Sequence, residues 1–132
     1  MIQVNYLITL IAFTIILITF IIIFFIPKQR YVIGNSKIHG KGIISIHTIK
    51  KYENIGLVFI RENNQTHITP YLGKYVNHKV DENTYLKKIH KNDMDLYYLF
   101  AKKNIYFGEE ITSNYDGPLI PDFIEKSKSY YK

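Results

Sequence analysis

The sequence contains no cysteine and only two arginines, Arg30 and Arg61. Without cysteine the chain cannot form disulfide bonds, zinc–thiolate sites or a cysteine nucleophile. The net charge of +6 therefore comes almost entirely from lysine. Proteins that read DNA sequence favour arginine, because its guanidinium group makes paired hydrogen bonds to guanine. The charge thus indicates a generally positive surface, and no sequence-specific nucleic-acid binding is expected.

Charged side chains are absent from residues 1–27, and nearly every residue from 6 to 26 is apolar. About twenty apolar residues, at a rise of about 1.5 Å each, span the hydrocarbon core of a bilayer, which is about 30 Å thick. In lipid a single segment must satisfy its own backbone hydrogen bonds, and only a helix does so. The sequence therefore predicts a transmembrane anchor over residues 1–27.

A cleavable signal peptide is the alternative interpretation of this segment. Such a peptide has a basic start, a shorter apolar stretch and small residues at its cleavage site. Here the start is uncharged, the apolar stretch is longer, and no small pair precedes Pro27. Lys28, Arg30, Lys37 and Lys41 all follow the segment, and basic flanks remain in the cytosol. We therefore expect a single-pass membrane protein whose C-terminal domain is cytosolic.

The residue pattern changes after a short linker at residues 28–33. Runs rich in Ile, Val, Tyr, Phe and Thr, separated by Gly, Asn and Asp, are typical of short strands. These runs cover residues 31–37, 42–49, 54–61, 96–103 and 109–115. The sequence predicts a mostly β domain over residues 34–120. A tail follows at residues 121–132, in which a short helix could form.

The first motif with chemical potential is "HGKGI", residues 39–43. Two glycines flank Lys41, and glycine lets a ligand approach the backbone closely. The motif alone favours a hairpin turn. It is neither a P-loop nor a dinucleotide fingerprint, because the further glycine and lysine positions of those motifs are missing.

The second motif is "LGKYVNHK", residues 72–79. The Asn77 amide carries both a donor and an acceptor, which suits the edge of an adenine ring. His78 could act as a ligand, a base or a structural ring, and a structural role is favoured over catalysis. The five histidines have no metal-ligand spacing, so no metal site is predicted; they are residues 39, 47, 67, 78 and 90.

The third motif is "LFAKKNIYFGEEITSNYD", residues 99–116, which leads from one strand through a turn and a second strand to Tyr115. Glu109 and Glu110 suggest acid–base chemistry, but a solvated turn explains them better. Adjacent residues of a strand point to opposite faces, so the two carboxylates cannot both reach one substrate.

Taken in order, the three motifs resemble the SET domain of protein lysine methyltransferases, over residues 34–116. The resemblance implies a compact, mostly β fold in which the C-terminal motif threads as a pseudoknot, here preceded by one transmembrane helix. It also implies S-adenosylmethionine as the cofactor and a lysine of another protein as the substrate. The oligomeric state stays open.

The same resemblance assigns the site residues. The Asn77 side chain would bind the adenine or ribose region of S-adenosylmethionine, and the backbone of His78 would pair with the adenine edge. The backbone of Lys41 and Gly42 would line the methionine end. Tyr115 would be the catalytic tyrosine, with its hydroxyl beside the transferring methyl group and the lysine amine.

Three departures from the family pattern favour an alternative, a catalytically degenerate SET-like scaffold that binds a partner at a membrane surface. Lys79 replaces a serine after the Asn-His pair, and Ser113 replaces an aromatic residue. The segment 59–71, which in the family carries a substrate-gripping insert, is short. The tail is the candidate lid, and its aromatic residues are Phe123, Tyr130 and Tyr131. A more distant alternative is a small structural membrane protein.

Overall fold

The computed structural model describes residues 2–25, 29–116 and 119. Two helices and eight strands follow one another along these residues. In chain order they are α1 (Ile2–Phe25), β1 (Tyr31–Asn35), β2 (Lys41–Ser45), β3 (Asn54–Glu62), β4 (Gln65–Ile68), α2 (Leu72–Tyr75), β5 (Asn77–His78), β6 (Thr84–Lys91), β7 (Met94–Ala101) and β8 (Glu110–Ser113).

Helix α1 occupies most of the apolar N-terminal segment. Its threonine hydroxyl groups are satisfied inside the helix: Thr9, Thr14 and Thr19 each donate to the carbonyl four residues earlier, at 2.8 Å. Every described side chain from residue 5 to residue 23 is exposed. Within the described residues, this is the one helix whose length and composition would let it cross a membrane, although signal sequences and core helices meet the same criterion. The predicted helix is present, and the membrane crossing stays a prediction.

The strands form two four-stranded sheets. The first has the order β1-β2-β8-β5 and the second has the order β4-β3-β7-β6. In the first sheet, β1 and β2 form an antiparallel hairpin, and β8 lies between β2 and β5. Strand β8 pairs in parallel with the two-residue strand β5. The expectation of a mostly β domain is therefore confirmed.

The second sheet contains two tight hairpins. The turn between β3 and β4 is Asn63-Asn64, and the turn between β6 and β7 is Asn92-Asp93; all four residues have positive φ, between 48° and 62°. Asn and Asp tolerate this left-handed conformation, and two-residue hairpin turns require it. Strands β4 and β6 were not predicted from the sequence.

One hydrophobic core joins the two sheets. Ile43 and Ile111 contribute from the first sheet and Leu99 from the second, and all three are fully buried. The loops that leave the sheets are joined by a bridge between Ile49 and Ile105, which are also fully buried. The core therefore holds β2 and β8, the strands that carry the predicted site, in a fixed relation.

One of the predicted boundaries can be compared with the described residues. Strand β1 begins at Tyr31, within the segment 28–33 that was assigned to a linker. The tail 121–132, with the predicted short helix and lid aromatics, lies outside the described residues.

Candidate functional site

Asn77 and His78 form β5, and their side chains lie on opposite faces of the first sheet. Asn77 is paired with Thr112, and His78 with Ser113. Successive side chains of a strand alternate between faces. The Asn77 face also carries Glu110, which is two residues from Thr112 along β8. The site therefore has two sides, which are separated by the sheet.

On the first side, the Asn77 amide nitrogen is surrounded by acceptors. It lies 2.8 Å from Glu110 Oε1, 3.0 Å from Ser36 Oγ, 3.1 Å from Lys41 O and 3.3 Å from His39 O. An amide nitrogen carries only two hydrogens, so both are engaged within the protein. None of the described residues donates to Asn77 Oδ1. Toward a ligand, Asn77 is therefore an acceptor.

Glu110 is a site residue that the sequence analysis assigned to a solvated turn. Its two carboxylate oxygens lie 2.7 and 2.9 Å from Ser36 Oγ, and one of them also accepts from Asn77. Glu109 is exposed and instead accepts the backbone N–H of Tyr106 at 2.7 Å. The two glutamates do point apart, as expected. The alternation that places residues 110 and 112 on one face is the signal that could have identified Glu110.

Gly42 makes the approach of Glu110 possible. A Cβ atom at residue 42 would collide with Glu110 Oε1 and lie 2.9 Å from Glu110 Cδ and 3.1 Å from Asn77 Nδ2. Lys41, its neighbour, contributes its backbone carbonyl to Asn77, while its ammonium donates to Asn35 Oδ1 at 2.8 Å. The structure thus brings Lys41, Gly42 and Asn77 together.

On the other side of the sheet, His78 and Tyr115 are in contact. The backbone N–H of Tyr115 donates to His78 Nδ1 at 2.9 Å, and the ring centroids are 5.1 Å apart. The Tyr115 hydroxyl donates to the Val76 carbonyl at 2.5 Å. Because His78 Nδ1 is an acceptor here, the ring holds Tyr115 in place, in agreement with a structural role.

The backbone N–H and C=O groups of His78 point away from β8, toward the open edge of the first sheet. Strand β5 is the terminal strand of its sheet, and Lys79 N–H donates to Ser113 O at 3.1 Å. In a parallel ladder the residues of one strand turn their N–H and C=O alternately toward and away from the neighbouring strand. This register places the N–H and C=O of His78 on the open edge of β5. That edge offers one donor and one acceptor side by side.

A cavity of about 440 Å³ adjoins the Glu110 face. Its wall includes Ile44, Asn83, Thr112 and Glu110, together with the exposed ammonium-bearing residue Lys79. The volume lies within the range of small-molecule sites. Among the described residues, no group of three or more His, Asp or Glu could hold a metal ion.

The sequence profile of the SET-domain family matches residues 23–116. The chain belongs to the SET-domain family. The family match begins within α1 and ends one residue after Tyr115, so it contains every predicted site residue. No curated protein sequence matches the chain significantly.

Solved structures share this SET fold at low sequence identity. A candidate histone methyltransferase from Plasmodium falciparum is 22% identical with a TM-score of 0.58, covering 70% of this chain and 98% of that one. A humanized mutant of Polycomb Repressive Complex 2 from Chaetomium thermophilum, bound to the inhibitor GSK343, is 22% identical with a TM-score of 0.59. That match covers 77% of this chain and 17% of the larger one. At this identity the similarity establishes the fold.

Proposed function

We propose that this SET domain binds S-adenosylmethionine and transfers its methyl group to a lysine of a protein. The observation that carries the proposal is the position of Tyr115. Its hydroxyl is held by the Val76 carbonyl and its backbone by His78, directly beside the open edge of β5. Both partners belong to residues 76–78, the segment that also carries Asn77, so the tyrosine is held next to the proposed cofactor residues.

The chemistry of the free polar atoms fits the cofactor. S-adenosylmethionine has donors in its ammonium, ribose hydroxyl and adenine amino groups, and Asn77 Oδ1 is an acceptor. An adenine edge has a donor next to an acceptor, which complements the N–H and C=O of His78. The backbone at Lys41 and Gly42 would hold the methionine end. When bound, the cofactor would supply an electrophilic methyl group on a positively charged sulfur.

The residues of the chain would position the lysine amine and prepare it to react. A free lysine amine has a pKa of about 10.4 and is protonated at neutral pH. An apolar channel and a nearby positive charge both disfavour the ammonium form, so the amine can become neutral without a strong base. The Tyr115 hydroxyl would orient the amine, and the hydrogen bond to Val76 O fixes that hydroxyl. The pseudoknot-like threading of residues 109–116 would keep Tyr115 beside β5, and the parallel pairing of β8 with β5 supports it.

Membrane anchoring is the second part of the proposal. Helix α1 would cross the bilayer once and leave the SET domain in the cytosol. The exposure of its side chains supports an apolar environment, because burying them in lipid removes this surface from water. The basic residues after the helix support the cytosolic side.

A methyl-transfer assay on Tyr115→Phe tests the catalytic proposal. The full chain, in detergent or in vesicles, is incubated with labelled S-adenosylmethionine and a lysine-rich protein mixture. The phenyl ring preserves packing and only the hydroxyl is lost, so turnover should fall by about 10²–10³-fold. The lost hydrogen bond to Val76 O should lower the free energy of unfolding by only about 1 kcal/mol, so the variant stays folded. Tyr85→Phe, on the exposed edge strand β6, is the matched control. Equal turnover of the wild type and Tyr115→Phe would remove Tyr115 from the site.

A second candidate function is a SET-fold binding module without catalysis. Lys79 supports it, because the family pattern has a serine at this position and an ammonium group close to the cofactor would disfavour a positively charged sulfonium. Cofactor binding without methyl transfer across broad protein mixtures would favour this candidate.

A further inference from the structure

We propose that the turn carrying Tyr106 and Phe107 inserts into the surface of the bilayer, beside the anchor helix. The inference rests on the membrane anchoring proposed above. It assigns an orientation to the domain, and it makes the lipid surface the partner of this turn.

The turn presents two adjacent aromatic side chains to solvent. Phe107 is 75% exposed and Tyr106 is 56% exposed. Single exposed apolar residues are common, but here the backbone is fixed around the pair. Glu109 N–H donates to Tyr106 O at 3.1 Å, Tyr106 N–H donates to the Glu109 carboxylate at 2.7 Å, and Gly108 has φ of 81°. Phe107 therefore lies at the tip of a rigid turn.

The turn lies at the end of the first sheet where the chain arrives from the helix. Gly108 N–H donates to Ser45 O at 2.8 Å, and Ile46 N–H donates to Arg30 O at 2.9 Å. These bonds connect β8 to β2 and β2 to β1 at the same end of the three strands. Neighbouring strands are about 4.8 Å apart, so the turn lies about 10 Å from Arg30 across the sheet.

Chain length keeps this end of the sheet close to the bilayer. Helix α1 ends at Phe25, and five residues later Arg30 is already fixed to the domain. Its guanidinium group binds Glu53 at 3.2 Å and the Asn54 carbonyl. Five extended residues span at most about 18 Å. The exposed aromatic turn is therefore within reach of the membrane surface.

The chemistry of this end suits a lipid surface with anionic headgroups. Tyrosine and other aromatic side chains are favoured where a bilayer meets water. The loops 46–53 and 102–109 carry four lysines and two glutamates. Lys102 and Lys103 form ion pairs with Glu82 and Asp81. Two further lysines, at positions 50 and 51, have no ion pair among the described residues and would meet anionic lipid.

This orientation restricts the substrates that the site can reach. Tyr115 follows β8 at its opposite end, eight residues after Phe107. Eight extended residues span at most about 27 Å. The acceptor lysine would therefore belong to a protein segment that lies within about 27 Å of the bilayer surface.

Tryptophan scanning tests the proposal, because the sequence contains no tryptophan. Three single variants of the full chain, Phe107→Trp, Ile89→Trp and Phe13→Trp, are reconstituted in phosphatidylcholine–phosphatidylserine vesicles, with and without brominated acyl chains. Ile89, which is 40% exposed, is the control position. It lies on β6, five residue pairs along the β6–β7 hairpin from the Thr84–Ala101 pair, where the chain leaves for the aromatic turn. We expect brominated lipid to reduce the emission at positions 107 and 13 by about half or more, as for side chains at or below the interface, and to leave position 89 unchanged.

The quenching results at the three positions distinguish failure of the turn insertion from failure of the membrane anchoring. Quenching at position 13 without quenching at position 107 would overturn the insertion of the turn and leave the anchor intact. Absence of quenching at position 13 would overturn both. Equal quenching at positions 89 and 107 would also overturn the proposal, because the contact would then not be specific to the turn. Tyr106→Trp repeats the test if circular dichroism shows that Phe107→Trp is misfolded.

Discussion

Asn83 and Thr112 are joined by hydrogen bonds in both directions: Thr112 N–H donates to Asn83 Oδ1 at 2.9 Å, and Asn83 N–H contacts Thr112 Oγ1 at 3.4 Å. The Asn83 amide also donates to the Glu110 carbonyl at 2.7 Å. Both residues are buried. The Asn83 side chain therefore makes hydrogen bonds to the backbone of β8 that a neighbouring strand would otherwise make. Strand β8 leads to Tyr115.

We predict that Asn83→Ala destabilises the fold by about 2 kcal/mol or more, because it leaves the Thr112 N–H buried and unpaired. The measurement is urea unfolding of the solubilised full chain. Asn104→Ala is the matched control, since the Asn104 side chain accepts one exposed bond from Lys51 N–H at 2.9 Å. That variant should lose less than about 1 kcal/mol. Equal losses for the two variants would show that Asn83 does not hold β8.

Gly42→Ala should weaken cofactor binding by about tenfold or more, because displacing Glu110 removes the group that orients Asn77. The comparison is with Gly40→Ala, where a Cβ atom would meet nothing within 4 Å. Gly40 has φ of 50°, so its variant should lose about 1 kcal/mol of stability but keep its cofactor affinity. Unchanged affinity in Gly42→Ala would contradict the proposed contact.

Glu110→Ala tests the orientation of Asn77 directly. Without the carboxylate, the amide nitrogen loses its shortest hydrogen bond and keeps only the longer ones to Ser36 Oγ and two carbonyls, so the amide is oriented less firmly. We expect the cofactor affinity to fall by about tenfold. Glu109→Ala removes the neighbouring exposed carboxylate and should leave the affinity unchanged. The same loss in both variants would indicate a general electrostatic effect.

The features that could be predicted from the sequence depend on apolar patterns and on glycine. Helix α1 follows from its long apolar run, and the β1–β2 hairpin follows from the glycines of residues 39–43. The third motif correctly indicated a strand before Tyr115. These features depend on neighbouring residues in the sequence, so they can be predicted without knowledge of tertiary contacts.

The features that were missed depend on tertiary contacts. Strand β6 carries lysines at positions 87, 88 and 91 and lies at an exposed sheet edge, so it lacks the apolar signal of a strand. Glu110 and Asn83 gained their roles from partners far away in sequence: Asn77 for Glu110, and Thr112 for Asn83. No pattern in a single sequence identifies such partners.

The pKa of Asp95 gives a prediction for the second sheet. Its hydrogen bond to His90, 2.9 Å long, and then its contact with Lys88 hold the pKa of the carboxyl below its ordinary value. A lowered pKa contributes stability above the unfolded value, about 3.9, and this contribution is lost as the pH falls through the folded pKa. The contribution is small because His90 is exposed and solvent screens its interaction with Asp95. Carboxyl NMR titration should show a higher Asp95 pKa in His90→Ala than in the wild type. The control variant Asp93→Asn should not change the Asp95 pKa. Identical Asp95 pKa values in His90→Ala and the wild type would contradict the assignment.

The most direct test of the account is the binding of S-adenosylmethionine to the full chain, measured by equilibrium dialysis with labelled cofactor. We predict saturable binding by the wild type, and a loss of about tenfold or more in Asn77→Ala, because the ligand donor then loses the acceptor Asn77 Oδ1. Asn104→Ala should bind like the wild type. Absence of binding by a folded wild-type chain would contradict the account, and the SET fold of this protein would then serve a purpose other than methyl transfer.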